Sequence, residues 1–165
     1  MAAVADRVRI LLVCFGNICR SPTAEVVVRR TAARAGLASS IEVDSAGTGE
    51  WYVGNPPDYR AIEHAARRGY DLQPLRSRQV SAADFDRFAY VLAMDRANLA
   101  DLRALRPAHF DGELKLFLDF VPDAVSREVP DPYDKGPEAF ERSLDLIEQG
   151  SDAFVAYLAR NLAAR

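Results

Sequence analysis

The chain has 165 residues, of which 49% are hydrophobic and 27% charged, and its formal net charge is −3 at pH 7. This length and composition fit one compact domain that buries its own core, and they exclude a disordered or fibrous protein. The acidic balance argues against non-specific nucleic-acid binding. Only two cysteines occur, Cys14 and Cys19, so the sequence has no disulfide framework of the kind found in small secreted proteins.

The start of the chain does not resemble an export signal. Residues 1–7 are too short and too polar a segment for a signal peptide, and no long apolar run follows that could span a membrane. We therefore expect a cytoplasmic protein that acts without a membrane or a nucleic acid as partner.

Apolar runs and turn residues predict strands that alternate with helices. Short apolar or alternating runs predict strands at residues 8–13, 41–45, 88–94 and 113–118. Capping and breaking residues predict helices at residues 23–35, 58–69, 95–105 and from 137 to the end of the chain. Residues 119–135 contain three prolines and are predicted to be irregular. Such alternation favours a parallel sheet with helices on both faces, which binds ligands beyond the carboxyl ends of its strands.

The loop after the first predicted strand carries the strongest functional signal. A strand that turns onto a helix start points several backbone N–H groups at one spot, which attracts anions. Cys14 begins this loop and Arg20 ends it, and a guanidinium matches two phosphate oxygens at once. Gly16 permits close approach of the backbone, and Asn17 tolerates a left-handed conformation. We predict a phosphate site that faces a thiol.

A thiol in this position is suited to nucleophilic attack. A helix N-terminus and an adjacent cation favour the thiolate form, which is the reactive one. The alternative is that Cys14 is a small buried hydrophobic residue, as many lone cysteines are. The strand, glycine, arginine and proline around it favour the functional interpretation. Ser21 can donate a hydrogen bond to the thiolate and ease its departure from a phospho-intermediate.

Over nearly its whole length the chain resembles the low-molecular-weight protein tyrosine phosphatases. The resemblance rests on residues 13–22, 24–25, 45–51, 53–54, 58–61, 78–79, 93–95, 98–99 and 131–133. It implies a single domain over residues 1–165. The implied fold is an α/β three-layer sandwich, with a four-stranded parallel sheet of order 2-1-3-4 flanked by helices on both faces.

The resemblance also implies a mechanism without a metal or other cofactor. Cys14 is then the nucleophile, Arg20 the phosphate binder, and Asp131 the general acid and later the general base. An acid is needed because a phenolate of pKa about 10 leaves slowly unless its oxygen is protonated. The alternative for Asp131 is a turn aspartate, since Asp before Pro is common in turns. The predicted reaction is hydrolysis of phosphotyrosine and small aryl phosphates through a phosphocysteine.

Further roles follow from the same resemblance. The phosphate loop contributes the remaining phosphate-binding residues, which are Phe15, Gly16, Asn17, Ile18, Cys19 and Ser21. Trp51 and Tyr133 match the aromatic walls that receive the phenyl ring, with ordinary core filling as the alternative for each. Ser45 and Asp95 match residues that support the loop.

The chain departs from the family pattern at two places. Asp134 stands where a second tyrosine is frequent, and it adds a negative charge at the rim of the predicted pocket. Leu75 stands where a histidine often joins a hydrogen-bond network with Asn17, Ser21, Ser45 and Asp95. We therefore expect a network that is smaller or completed by water, and either a slower enzyme or a higher pKa of Cys14.

Cys19 suggests redox regulation. It lies with Cys14 in one tight loop, so a reversible disulfide after peroxide exposure is predicted. The alternative is that Cys19 is simply a small packed side chain.

Other activities on the same scaffold fit the sequence less well. Thioredoxin-coupled arsenate reductases need further cysteines, and none follows Cys19. Arginine phosphatases tend to carry threonine in place of Ile18 and to lack the tyrosine at 133. A binding module would need no general acid. We expect a monomer whose substrate is a phosphotyrosine-containing protein; a bacterial tyrosine kinase and a host protein are both open candidates.

Overall fold

A four-stranded parallel sheet of order β2-β1-β3-β4 lies at the centre of the computed structural model, which describes residues 6–163. Its strands are β1 (Val8–Cys14), β2 (Ile41–Gly47), β3 (Tyr90–Ala93) and β4 (Glu113–Leu116). Strand β1 is internal, because Val13 pairs with Ala46 on one side and with Ala93 on the other. The predicted strand order is confirmed.

Within residues 6–163, four α-helices connect and follow the strands: α1 (Arg20–Arg34), α2 (Tyr59–Arg67), α3 (Arg96–Leu105) and α4 (Pro137–Ala163). The side chain of Asp58 accepts a hydrogen bond from the Arg60 N–H, and Asp95 accepts one from the Asn98 N–H. These bonds begin α2 and α3 as N-caps, because they satisfy N–H groups that have no partner within the helix.

Several predicted boundaries differ from the observed ones, and two of these differences have a local cause. Helix α1 begins at Arg20, three residues earlier than predicted, because the loop that begins at Cys14 leads directly into the helix. Strand β4 ends at Leu116, where a 3₁₀-helix, Phe117–Phe120, follows it. There the Asp119 carboxylate accepts a hydrogen bond from the Leu116 N–H at 3.0 Å and turns the chain. A second short 3₁₀-helix, Ala82–Asp86, had no sequence prediction.

Helices cover both faces of the sheet, as predicted. Successive side chains of a strand point to opposite faces. Accordingly Ile10 and Leu12 belong to the core beneath α1 and α4, and Leu11 and Val13 to the core beneath α3. All four are fully buried, which is the pattern of a parallel sheet covered on both sides. Among residues 6–163, no helix combines the length and apolar character needed to cross a membrane.

At Gly150, α4 packs closely against the two residues that follow β4. A Cβ atom at this position would lie 2.5 Å from Cε2 of Phe117 and 2.8 Å from Cδ2 of Leu118, and both side chains are buried. We expect Gly150→Ala to lower the free energy of unfolding in urea by about 1–2 kcal/mol, because overpacking outweighs the gain in helix propensity. Gln149→Ala, one residue earlier and exposed, should change it little. Equal stability of the two variants would contradict this close packing.

Candidate active site

The loop between β1 and α1 lies at the carboxyl edge of the sheet and is held by the end of β2. The Thr48 N–H donates to the Cys14 carbonyl and the Gly49 N–H to the Phe15 carbonyl, each at 2.9 Å. Gly47 lies so close to the loop that a Cβ there would be 2.6 Å from the Phe15 oxygen. A glycine is therefore required at the point where β2 meets the loop.

Two groups lie within hydrogen-bonding distance of the Cys14 sulfur. The Asn17 N–H points at Sγ at 3.3 Å, and the Ser21 hydroxyl lies 3.0 Å from it. Asn17 adopts a left-handed conformation with φ 54°, which turns its N–H back towards the sulfur. Cys14 ends β1 and α1 begins at Arg20, so the sulfur also faces the positive end of a helix. The arrangement stabilises a negative charge on Sγ.

Behind the loop, the Asn17 side chain joins three segments of the chain. Its Nδ2 donates to Ser21 Oγ at 2.8 Å and to Ser45 Oγ at 3.0 Å, and its Oδ1 accepts from the Arg78 N–H at 3.0 Å. The Ser45 hydroxyl in turn donates to Glu25 Oε1 at 2.8 Å. Glu25 had no predicted role beyond the resemblance, although a carboxylate on the buried face of α1 is an available signal.

Asp95 supports the site from the other side and does not bond to Asn17. Its Oδ2 accepts from Arg20 Nη1 at 2.6 Å, while its Oδ1 caps α3. The same Nη1 donates to the Val129 carbonyl at 2.9 Å. Burial alone would lower the pKa of Arg20, but the charge of Cys14 and the bond to Asp95 outweigh it and raise the pKa. Arg20 therefore remains a cation although it is only 2% exposed.

A second support for the loop comes from Ser77, which had no predicted role. Its buried hydroxyl donates to the Gly16 carbonyl at 2.9 Å. Two residues before it, Leu75 is half-buried and makes its backbone bond to Leu72. A serine between two arginines in an irregular segment gives no pattern that would have identified this contact.

Above the loop lies a cavity of about 380 Å³, a size suited to a small ligand. Its lining comprises Cys14, Phe15, Gly16, Ile18, Cys19, Arg20, Tyr52, Asp131, Tyr133 and Asp134. Asp131 Oδ2 lies 3.7 Å from Arg20 Nη2, and Asp131 Oδ1 accepts a hydrogen bond from the Tyr133 N–H at 3.1 Å. The structure thus brings the irregular segment near residue 131 over the loop that begins at Cys14.

The aromatic walls of this cavity differ from the prediction. Tyr133 lines it, but Trp51 is 77% exposed and lies outside the lining, where Tyr52 takes its place. The rings of Tyr52 and Tyr133 lie 6.1 Å apart and are tilted by 51°. Tyr52 also packs on the loop, since a Cβ on Gly16 would be 2.9 Å from its Cδ2. Two neighbouring aromatic residues satisfy the sequence pattern equally well, and only the turn at 51–54 decides between them.

Cys19 lines the same cavity as a free thiol. Burial raises the pKa of Cys19, and the negative charges of Asp58, Cys14 and Asp131 raise it further. Cys19 therefore stays protonated where Cys14 has groups that stabilise a thiolate. The predicted disulfide between the two residues stays a prediction.

Comparisons with known proteins agree on one family. The family model described as low molecular weight phosphotyrosine protein phosphatase matches residues 9–164. The low molecular weight protein-tyrosine-phosphatase YfkJ of Bacillus subtilis is 40% identical over 153 residues, which cover 93% of this chain and 97% of that protein.

Solved structures extend this similarity to the fold. The crystal structure of YfkJ superposes with a TM-score of 0.87 at 38% identity, over 96% of this chain and 99% of that one. A protein tyrosine phosphatase from Entamoeba histolytica gives a TM-score of 0.88 at 34% identity, over 93% and 98%. A Drosophila arginine phosphatase gives 0.84 at 29% identity, over 90% and 96%. The fold therefore serves more than one phosphate linkage.

The contact between Ser77 and Gly16 can be tested by stability. We expect Ser77→Ala to lower the free energy of unfolding by about 1–2 kcal/mol, because the buried Gly16 carbonyl loses its donor. Chemical denaturation followed by circular dichroism measures this loss. Ser39→Ala removes an exposed hydroxyl and is the matched control, with little expected change. If both variants lose the same amount, Ser77 does not support the loop.

Proposed function

Because the chain belongs to the low molecular weight phosphotyrosine protein phosphatase family, we propose that it hydrolyses phosphotyrosine in proteins, and small aryl phosphates, through a phosphocysteine on Cys14. The observation that carries the proposal is that a buried cation, a thiol at a helix start and an exposed carboxylate meet in one cavity. These groups are Arg20, Cys14 and Asp131. Together they match the needs of phosphoryl transfer from an aryl ester.

In the first step, the Cys14 thiolate attacks phosphorus and forms the S–P bond, while the bond from phosphorus to the tyrosine oxygen breaks. The Arg20 guanidinium and the loop N–H groups bind the equatorial oxygens, where negative charge is held in the transition state. Asp131 gives its proton to the departing phenolate oxygen. Since Asp131 is half-exposed at the cavity mouth, it can exchange protons with solvent between turnovers.

In the second step, the Asp131 carboxylate takes a proton from water, whose oxygen attacks phosphorus and displaces the Cys14 thiolate. The Ser21 hydroxyl and the Asn17 N–H stabilise the departing thiolate. Positive charge at the phosphoryl group comes from Arg20 and backbone dipoles, so we propose that the reaction uses no metal and no other cofactor. The products are phosphate and the resting enzyme.

Phosphotyrosine is favoured over phosphoarginine by the walls of the cavity. Tyr52 and Tyr133 stand on its sides, and Ile18 presents an apolar side chain from the loop. A phenyl ring gains from burial between such groups, whereas a guanidinium loses hydration there. Since a Drosophila arginine phosphatase shares the fold, these side chains rather than the fold support the choice.

The remaining sequence predictions belong to the same proposal. The protein acts as a single domain and a monomer in the cytoplasm, on phosphotyrosine-containing proteins. A reversible disulfide between Cys14 and Cys19 would protect the nucleophile from irreversible oxidation.

The catalytic assignment predicts two different losses of activity. The wild-type protein should hydrolyse p-nitrophenyl phosphate and a phosphotyrosine peptide in the presence of EDTA, and Cys14→Ser should abolish both. Asp131→Ala should lower kcat on the peptide by about 10²–10³-fold, and far less on p-nitrophenyl phosphate, whose leaving group needs little protonation.

Asp134→Ala is the matched control, because Asp134 is the neighbouring carboxylate in the same cavity. It should change kcat little on both substrates. Equal losses of Asp131→Ala on the two substrates would reject Asp131 as the acid. Faster hydrolysis of phosphoarginine than of the phosphotyrosine peptide would reject the substrate assignment.

Tyr52 and Trp51 form a second matched pair. Tyr52→Ala removes one wall of the cavity, so KM for a phosphotyrosine peptide should rise about 5–30-fold, equivalent to about 1–2 kcal/mol of lost ring packing. Trp51→Ala should raise KM less than threefold, because Trp51 lies outside the cavity. Steady-state kinetics on one peptide give both values. The reverse order would place the substrate ring against Trp51.

A further inference from the structure

We propose that Glu25 is a positioning residue that, at the far end of a hydrogen-bond chain, keeps the Ser21 hydroxyl directed at the sulfur of Cys14. The proposal rests on the proposed function, because it takes Cys14 as the nucleophile. It adds to that function a buried carboxylate and an exposed arginine of α1, neither of which touches the substrate cavity.

The chain runs continuously from Glu25 to the sulfur. The Ser45 hydroxyl lies 2.8 Å from Glu25 Oε1, and Asn17 Nδ2 lies 3.0 Å from the Ser45 oxygen. The same Nδ2 lies 2.8 Å from Ser21 Oγ, which lies 3.0 Å from Cys14 Sγ. All five residues are buried. Every link is therefore shielded from water, which would otherwise offer substitute partners.

Two groups, the Glu25 carboxylate and the Arg78 N–H, determine which atom donates and which accepts in each hydrogen bond of the chain. An ionised carboxylate can only accept, so Glu25 accepts the hydrogen bond that the Ser45 hydroxyl donates, and the Ser45 oxygen is left free to accept another. The Arg78 N–H can only donate, so it faces Asn17 Oδ1 and turns Nδ2 towards both serines.

Asn17 Nδ2 then donates one hydrogen to each serine oxygen. The Ser21 oxygen is thereby occupied as an acceptor, and its own proton is left to be donated. The Cys14 sulfur lies nearer to Ser21 Oγ, at 3.0 Å, than the Ala46 carbonyl oxygen does, at 3.4 Å. Ser21 therefore donates to the sulfur, the polarity that stabilises a thiolate.

Arg29 favours the charged form of Glu25, which this polarity requires. Its Nη2 lies 2.6 Å from Glu25 Oε2 and also donates to the Val43 carbonyl at 3.0 Å. Burial raises the pKa of Glu25 and the charge of Asp44 adds to the rise, while the bonds from Arg29 and Ser45 oppose it. The Glu25 side chain is 5% exposed and that of Arg29 is 53% exposed, so the arginine joins a buried anion to the solvent.

The first test measures the pH at which Cys14 becomes half-reactive towards iodoacetamide, with the alkylated residue identified by mass spectrometry. Glu25→Gln replaces a carboxylate that can only accept hydrogen bonds by an amide that can also donate them. This midpoint should therefore rise by about one pH unit, as expected for a weakened charge-assisted bond to the thiolate. Glu63→Gln breaks the exposed ion pair with Arg67, also at i,i+4 spacing, and is the matched control with no shift. An unshifted midpoint in folded Glu25→Gln overturns the proposal.

The second test uses Arg29→Met, which leaves an exposed position and the fold intact. Without the cation, the pKa of Glu25 rises further, so the carboxyl group takes up a proton at a higher pH and ceases to be a pure acceptor. The rate loss in kcat on p-nitrophenyl phosphate, relative to wild type, should therefore grow as the pH falls from 7 to 5. In Arg29→Met/Glu25→Gln this extra acid-side loss should vanish. A loss that is the same at every pH overturns the role of Arg29.

The two levels of proposal fail in different ways. Alkylation reports on Cys14 without any turnover, so a shifted midpoint in a protein that hydrolyses no aryl phosphate supports the hydrogen-bond chain and rejects the proposed function. If the wild-type protein is active and the midpoint of Glu25→Gln is unshifted, the proposed function is supported and the hydrogen-bond chain is rejected.

Discussion

The site depends on one residue in an unfavourable backbone conformation, Asn17. The left-handed conformation costs most residues about 1–2 kcal/mol, although asparagine adopts it more readily than others, and φ at Asn17 is 54°. Its buried amide makes three hydrogen bonds, to Ser21, Ser45 and the backbone of Arg78. These bonds offset the conformational cost. Because the left-handed turn points the Asn17 N–H at the Cys14 sulfur, the geometry of the phosphate loop follows from them.

A second constraint is the burial of Arg20. A buried cation is costly unless it is paired and hydrogen-bonded, and one nitrogen of Arg20 meets both Asp95 and the Val129 carbonyl. Asp95 follows β3 and caps α3, and Val129 lies two residues before Asp131 in the irregular segment 119–135. The hydrogen bonds of the Arg20 guanidinium thus connect the end of β3 and the irregular segment 119–135 to the loop that begins at Cys14.

Features that repeat along the chain could be predicted from the sequence, and single long-range contacts could not. The layering follows from apolar runs that alternate with predicted helices, whereas the strand order was implied by the family resemblance. The start of α2 beside Asp58 follows from local capping rules. The start of α1 at Arg20 was not predicted because Arg20 and Ser21 are polar and do not belong to the apolar helical pattern that follows them. Ser77 was not predicted because its hydroxyl donates to a backbone carbonyl 61 residues away. Tyr52 lines the cavity whereas Trp51 is exposed to solvent, and this difference arises from the turn at residues 51–54.

The position of Asp131 relates the two proposed steps to a single charge. One nitrogen of Arg20 is taken by Asp95 and Val129, and the other, Nη2, faces the Asp131 carboxylate at 3.7 Å. In the proposed mechanism, a phosphate dianion in the loop would compete with Asp131 for that nitrogen. Once the phosphate has left, Nη2 would again face the Asp131 carboxylate. One guanidinium would thus serve the substrate and Asp131 in turn.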